Sequence, residues 1–130
     1  MNLIAWSLLA AAVMPVACAG MAKWGAMMRP RREGGFDNHH PREWLARQQG
    51  WRARANAAQA NCFEALPFFI GAVLYALLMQ APAARIEALA GLWLLLRAAY
   101  VALYLADRPS ARSVVWTLAL AANVAILFSA

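Results

Sequence analysis

Apolar residues fall along this chain in four long blocks separated by polar stretches, and that pattern predicts the architecture. A helix needs about 20 consecutive apolar residues to cross a bilayer. The first block runs from about Leu3 to Ala22, interrupted by Pro15 and ended by Lys23. The second covers about Ala55 to Met79, and the third about Ile86 to Leu105 with Arg97 inside it. The fourth, about Val114 to Phe128, is short unless its helix starts at Pro109, where the missing N–H of proline costs nothing. With their polar ends, helices are expected over about 3–28, 53–80, 84–106 and 109–129, with one polar loop over about 29–52. The expected fold class is therefore all-α, an integral membrane four-helix bundle forming a single domain over 1–130.

Composition agrees. Hydrophobic residues make up 64% of the chain, against about 45–50% in soluble domains. MNLIAWS carries no Lys or Arg and PVA precedes Cys18, so the first block is expected to stay as a spanning helix. Cys18 and Cys62 both lie in apolar runs and are expected as small buried hydrophobes, with no disulfide framework.

Charge fixes the expected orientation. Lys23, Arg29, Arg31, Arg32, Arg42, Arg47, Arg52 and Arg54 crowd the first link, Arg85 stands alone in the second, and Arg108 and Arg112 mark the third. The positive-inside rule puts the first and third links in the cytoplasm, with both termini on the other side. The same clustering between apolar blocks argues against nucleic acid as partner, since no motif of that kind accompanies the basic charge. Within the first link, Pro41 to Gly50 is expected as a short interfacial helix anchored by Trp44. His39 and His40 are adjacent and have no carboxylate–histidine cluster around them, so no metal site is expected.

The stretch QANCFEALPFF places Asn61 and Glu64 three residues apart, on one helix face, at the mouth of an apolar run. Arg54 lies two turns earlier and Pro67 is expected to bend the helix beyond the pair. In the third block Arg97, Tyr100 and Tyr104 share a face with Trp93, while Leu92, Leu95, Leu96 and Val101 lie opposite and are expected toward lipid or ordinary packing. Arg112 and Ser113 open the fourth helix, with Trp116 one turn on. Charged side chains inside membrane helices face the bundle and pair, so a Glu64–Arg97 bridge is expected. Arg54, Arg97 and Arg112 nevertheless outnumber Glu64, and that surplus at one depth points to an anionic ligand. Ala53, Ala57, Asn61 and Ala65 recur at four-residue steps, a spacing that allows close helix approach.

The second-block pattern R-x-x-A-A-Q-A-N-C-x-E-x-x-P-F-F and the third-block R-x-x-Y-x-x-x-Y followed by R-S resemble the MAPEG family, the membrane-associated proteins in eicosanoid and glutathione metabolism. The loop text FDNHHPREW…QGWRARANAAQ is similar to bacterial members, which implies a bacterial inner membrane. The resemblance implies a homotrimer that binds glutathione as co-substrate between subunits. Arg112 and Ser113 would act on the glutathione sulfur. Arg54, Asn61, Glu64, Arg97, Tyr100 and Tyr104 would hold the tripeptide. It also implies a transferase or peroxidase acting on lipophilic electrophiles drawn from membrane lipid. Two departures bear on this: Ala57 stands where the eicosanoid enzymes have arginine, and Ala65 where they often have tyrosine. The alternative is a non-catalytic member that binds another small anion or a lipid headgroup. A transporter is disfavoured because the blocks show neither an inverted repeat nor a discontinuous helix pair.

The charge placement makes a prediction that reporter fusions check. A reporter active only in the cytoplasm should work when inserted near Gly35 and be silent when fused after Ala130. The reverse pattern would overturn the orientation.

Overall fold

The computed structural model describes residues 3–130. Five α-helices follow one another: α1 Leu3–Lys23, α2 Pro41–Ala46, α3 Gly50–Leu78, α4 Ala83–Leu105 and α5 Pro109–Leu127, with a 3-10 turn at Arg31–Glu33. α1, α3, α4 and α5 are each long and apolar enough to cross a membrane. They form a four-helix bundle in which α1 lies along α3, α5 along α4, and α3 also meets α4 and α5. Short α2 touches α3 at one end.

The ends of the elements follow local chemistry. α1 closes at Lys23 rather than near residue 28, because Gly25 takes a left-handed φ of 74° and Trp24 and Ala26 close turns on Met21 and Lys23. α3 begins at Gly50, earlier than the expected 53, and α2 stops at Ala46 rather than reaching Gly50. At the other end of α3, Gln80 adopts φ 59° and the Ala81 N–H returns to the Ala76 carbonyl, a left-handed C-terminal closure. α5 starts at Pro109 as the sequence implies.

Burial divides each helix into an inner stripe and an outer surface. On α1 the stripe is Ile4, Ser7, Ala11, Pro15, Cys18 and Ala22, and it meets Ala55, Ala58, Cys62, Phe69, Val73 and Ala76 of α3. Close approach in the protomer thus uses Ala55, Ala58 and Cys62. The four-step series from Ala53 to Ala65 is only half-buried. Phe69 and Trp93 stack with ring centroids 3.9 Å apart and planes 9° apart, filling the space between α3 and α4. Leu92 and Leu95 are exposed, whereas Val101 is buried beside Cys18, Ala58, Cys62 and Tyr100. Leu3, Trp6, Leu9, Val16, Leu74, Leu78, Leu95 and Val114 are among the large apolar side chains left outside. Helices of this length with so much apolar surface outside describe an integral membrane protein.

The loop between α1 and α3 is ordered by its own contacts. Trp44 is buried rather than anchored at a surface: it packs with Ala22, Ala26, Leu45 and Ala55 and meets Phe36 edge-on at 5.2 Å. Arg52 Nη2 donates to the Trp24 carbonyl at 2.7 Å. Asp37 accepts from the His39 N–H at 2.9 Å and from Arg31 at 3.2 Å, and the first of these contacts chiefly holds its carboxyl below the usual range. The depressed pKa means this contribution to loop order is present above the ordinary carboxylate range and is lost as pH falls through the lowered value.

Gly35 and Gly91 give a paired test of this packing. A Cβ on Gly35 would collide with the backbone carbonyls of Arg29 and Pro30, whereas one on Gly91 meets nothing within 4 Å. Gly35→Ala should lower the thermal midpoint, and Gly91→Ala should hold or raise it by the helix preference of alanine, about 0.5–1 kcal/mol. Thermal unfolding in detergent reads both, and equal midpoints would contradict the loop geometry.

Candidate functional site

Arg54, Asn61, Glu64, Arg97, Tyr100, Tyr104, Arg112 and Ser113 fall on the half of the bundle that carries the loop 24–49 and the turn 106–108. Arg97 is eight residues before the end of α4, about 12 Å from it at 1.5 Å per residue. Asn61 lies at a comparable depth on α3, about 16 Å from its start at Gly50.

Arg97 is the largest fully buried side chain, 1% exposed. Its Nη2 donates to Asn61 Oδ1 at 2.8 Å and to Cys62 Sγ at 3.6 Å. The guanidinium carbon lies 4.4 Å from the Tyr100 ring centre and 6.0 Å from that of Trp93. Placing an arginine at mid-helix in a membrane costs about 2.5–3.5 kcal/mol on insertion scales. One charge-assisted hydrogen bond returns about 1.5–3 kcal/mol and a desolvated cation–π contact about 2 kcal/mol, so the site is close to balanced.

The expected Glu64–Arg97 bridge is not formed. Glu64 makes no ion pair among the described residues. Its Oε2 instead accepts from Asn61 Nδ2 at 3.4 Å, a long contact. Asn61 therefore stands between the two charges, its carbonyl toward Arg97 and its amino group toward Glu64. The physical reason is position: Asn61 and Cys62 face the buried guanidinium, while Glu64 lies at the exposed edge of α3.

Two adjoining clefts open around this relay. The outer one, about 440 Å³, is lined by Asn61, Tyr100, Arg112, Ser113, Trp116 and Thr117. The inner one, about 160 Å³, is lined by Asn61, Glu64, Ala65, Phe68, Trp93, Arg97, Trp116, Ala119, Leu120 and Asn123. Asn61 and Trp116 belong to both. The guanidinium of Arg112 lies over the Tyr104 ring at 4.0 Å and has no carboxylate partner among the described residues. Tyr104 also meets Tyr100 edge-on at 5.7 Å. Ser113 Oγ donates to the Pro109 carbonyl at 3.1 Å, so that hydroxyl must rotate before its proton can serve a ligand.

Of the residues singled out from the sequence, Asn61, Glu64, Arg97, Tyr100, Arg112 and Ser113 line the two clefts and Tyr104 supports Arg112 from behind. Arg54 lies apart from both clefts: its Nε donates to the Leu105 carbonyl at 3.1 Å, closing the C-terminal end of α4. Asn123 was not anticipated. It is an amide in an otherwise apolar run, 3% exposed, and that isolation was the only signal for it in the sequence. Chemically, the outer cleft offers an unpaired cation, hydroxyls and an amide, a set suited to an anionic or strongly dipolar ligand.

The relay predicts non-additive stability. Asn61→Leu leaves a buried guanidinium without its main acceptor and should cost about 2–3 kcal/mol. The double variant Asn61→Leu with Arg97→Met removes both polar groups and should recover a large part of that loss. Equilibrium unfolding in mixed micelles of these two variants and of Arg97→Met alone measures the coupling, and a double variant whose loss equals the sum of the two single losses would contradict the relay.

Comparison with family models matched residues 3–130 to the one described as the MAPEG family. No curated protein and no solved structure matched the chain.

Proposed function

Because the chain belongs to the MAPEG family, we propose that it is a glutathione-dependent membrane enzyme of the transferase or peroxidase type, acting on lipophilic electrophiles and assembled as a homotrimer. The observation that carries this reading is Arg112: a guanidinium over an aromatic ring, at an open cleft, with no carboxylate partner among the described residues. A cation of that kind favours the thiolate over the thiol, and the thiolate is the nucleophile. Ser113, once turned from the Pro109 carbonyl, adds a hydrogen bond to the same sulfur. Asn61, Tyr100 and Glu64 hold the tripeptide, with the Glu64 carboxylate suited to its free amino group.

Arg97 and Arg54 take roles different from direct carboxylate binding. Arg97 is committed to Asn61 and Cys62 and fixes the Asn61 amide. Arg54 spends its Nε on the Leu105 carbonyl and closes the end of α4, outside both clefts. With an aryl halide, the thiolate sulfur bonds to the ring carbon and halide leaves with the bonding pair. With a hydroperoxide, sulfur takes the outer oxygen, the O–O bond breaks and alcohol leaves. A second glutathione then displaces water to give the disulfide. Both need the sulfur held ionised and placed, which supplies most of the rate.

A polar face supports assembly. Asn56 and Gln59 line a third cleft on α3, with Arg42 and Phe63, and Gln59 Oε1 is buried without a hydrogen-bond partner among the described residues. An unpaired amide on a spanning helix is costly in lipid, and a second copy of the chain would cover it.

The same outer cleft would serve a non-catalytic member that holds another small anion or a lipid headgroup, so binding and turnover are measured separately. Millimolar glutathione should raise the melting temperature of the detergent-solubilised protein, by up to about 2.7 kcal/mol of stabilisation at a hundredfold excess over Kd. Glu64→Ala should weaken that shift, and Arg112→Ala should lower conjugation of an aryl halide by roughly 10²-fold or more. No shift in the wild type would refute glutathione binding, and full turnover in Arg112→Ala would refute its role at the sulfur.

A further inference from the structure

The turn that leaves α1 carries large apolar side chains that the protein does not cover. Trp24, Met27 and Met28 are 78%, 69% and 92% exposed, and Trp51, in the first turn of α3, is 42% exposed. Both Trp24 and Trp51 stand at the end of a spanning helix, so they lie at a bilayer surface in either orientation of the chain. Tryptophan is enriched at that level, where an apolar ring meets the polar head groups.

One guanidinium links these two exposed residues. Arg52 Nη2 donates to the Trp24 carbonyl at 2.7 Å, and the guanidinium carbon lies 4.5 Å from the Trp51 ring centre. A Cβ on Gly25 would stand 3.8 Å from the same Nη2, so the arginine lies along the Trp24–Gly25 turn. Its Nε and Nη1 make no hydrogen bond among the described residues, and, unlike the Nε of Arg97, neither is closed off from the surface. Two donor nitrogens on a fixed planar fork match the oxygens of a phosphodiester.

The charge around this turn is uncompensated. Arg31 and Arg32 have acidic neighbours, Asp37 at 3.2 Å and Glu33 at 3.7 Å. Lys23, Arg29 and Arg52 have no carboxylate partner among the described residues, and Lys23 rests on the Phe36 ring at 4.7 Å. A head group that brings its own cation, as choline does, is repelled by Lys23 and Arg29, whereas an anionic head group is drawn in.

We propose that Arg52 seats the phosphate of an anionic phospholipid at the membrane surface, beside Trp24 and Trp51. The exposed apolar side chains hold the turn at the head-group level, and the open nitrogens of Arg52 give the lipid phosphate a fixed partner. None of these residues lines the inner or the outer cleft, so the inference goes beyond the proposed reaction and does not rest on it.

The test places the whole protein in mixed vesicles and follows quenching of its tryptophans by phospholipids brominated on the acyl chains, either phosphatidylglycerol or phosphatidylcholine. Phosphatidylglycerol should bind at a saturable site at least about fivefold more tightly, the worth of one cation at the membrane surface. Arg52→Gln should bring that preference to within about twofold. Arg47→Gln, which removes the same charge from an exposed position of the same loop, should leave it unchanged. Trp24→Phe should shrink the quenching that is specific to phosphatidylglycerol, and it keeps the proposal testable even if Arg52→Gln folds poorly. Inorganic phosphate, matched in ionic strength to a chloride control, should leave the preference intact; its loss would assign the site to soluble anions and overturn the proposal. Equal binding of the two lipids, or specific quenching unchanged in Trp24→Phe, would overturn it as well. Equal losses in Arg47→Gln and Arg52→Gln would do the same, by reducing the site to diffuse surface charge.

Discussion

One guanidinium buried among membrane helices sets the terms for the rest of the site. Arg97 cannot reach water, so its charge must be met from α3 and from its own helix. The amide of Asn61, the sulfur of Cys62 and the ring of Tyr100 do this together. Each constrains its own element. Asn61 must point inward, which turns Glu64 to the cleft edge. Cys62 must be small, which lets α1 approach at Cys18, and Tyr100 must lie flat, which leaves Tyr104 free to carry Arg112. An ion pair between Glu64 and Arg97 would have used both charges internally. The amide relay leaves the carboxylate facing the cleft.

The two clefts then differ in chemistry because they take different sides of one frame. The outer one collects the start of α5 and several hydroxyls: Arg112, Ser113 and Thr117 from α5 with Tyr100 from the last turns of α4. The inner one collects aromatic and aliphatic walls around Asn61, Glu64, Arg97 and Asn123. A polar nucleophile held in the first and a lipophilic electrophile held in the second would meet at Asn61 and Trp116. That division suits a reaction between a water-soluble thiol and a membrane-borne partner, in which neither must cross the other's solvent.

Much of this was legible in the sequence for a simple reason: bilayer thickness fixes the length of an apolar run, so four runs announce four helices. Helical spacing likewise placed Arg97, Tyr100 and Tyr104 on one face and Asn61 beside Glu64. What spacing cannot supply is rotation and reach between helices. It could not show that Asn61 rather than Glu64 meets Arg97, because the two share a face and differ by a fraction of a turn. Nor could it show Arg54 closing the end of α4 at Leu105, a contact made only by folding. Trp44, expected as a surface anchor, and Val101, expected toward lipid or ordinary packing, are both buried because α1 and α3 supply neighbours: Cys18, Ala58 and Cys62 for Val101, Ala22 and Ala55 for Trp44. Asn123 stood alone in an apolar run, with nothing nearby in sequence to give it meaning.

The central claim is that Arg112 and the Asn61 relay form two ends of one tripeptide site. A high-resolution structure of the protein in nanodiscs with saturating glutathione tests it most directly. The account predicts density that starts in the outer cleft with the sulfur at the Arg112 guanidinium and runs past Asn61 to place the free amino group at Glu64, on the wall of the inner cleft. A tripeptide bound elsewhere, or one whose sulfur lies away from Arg112, would contradict it.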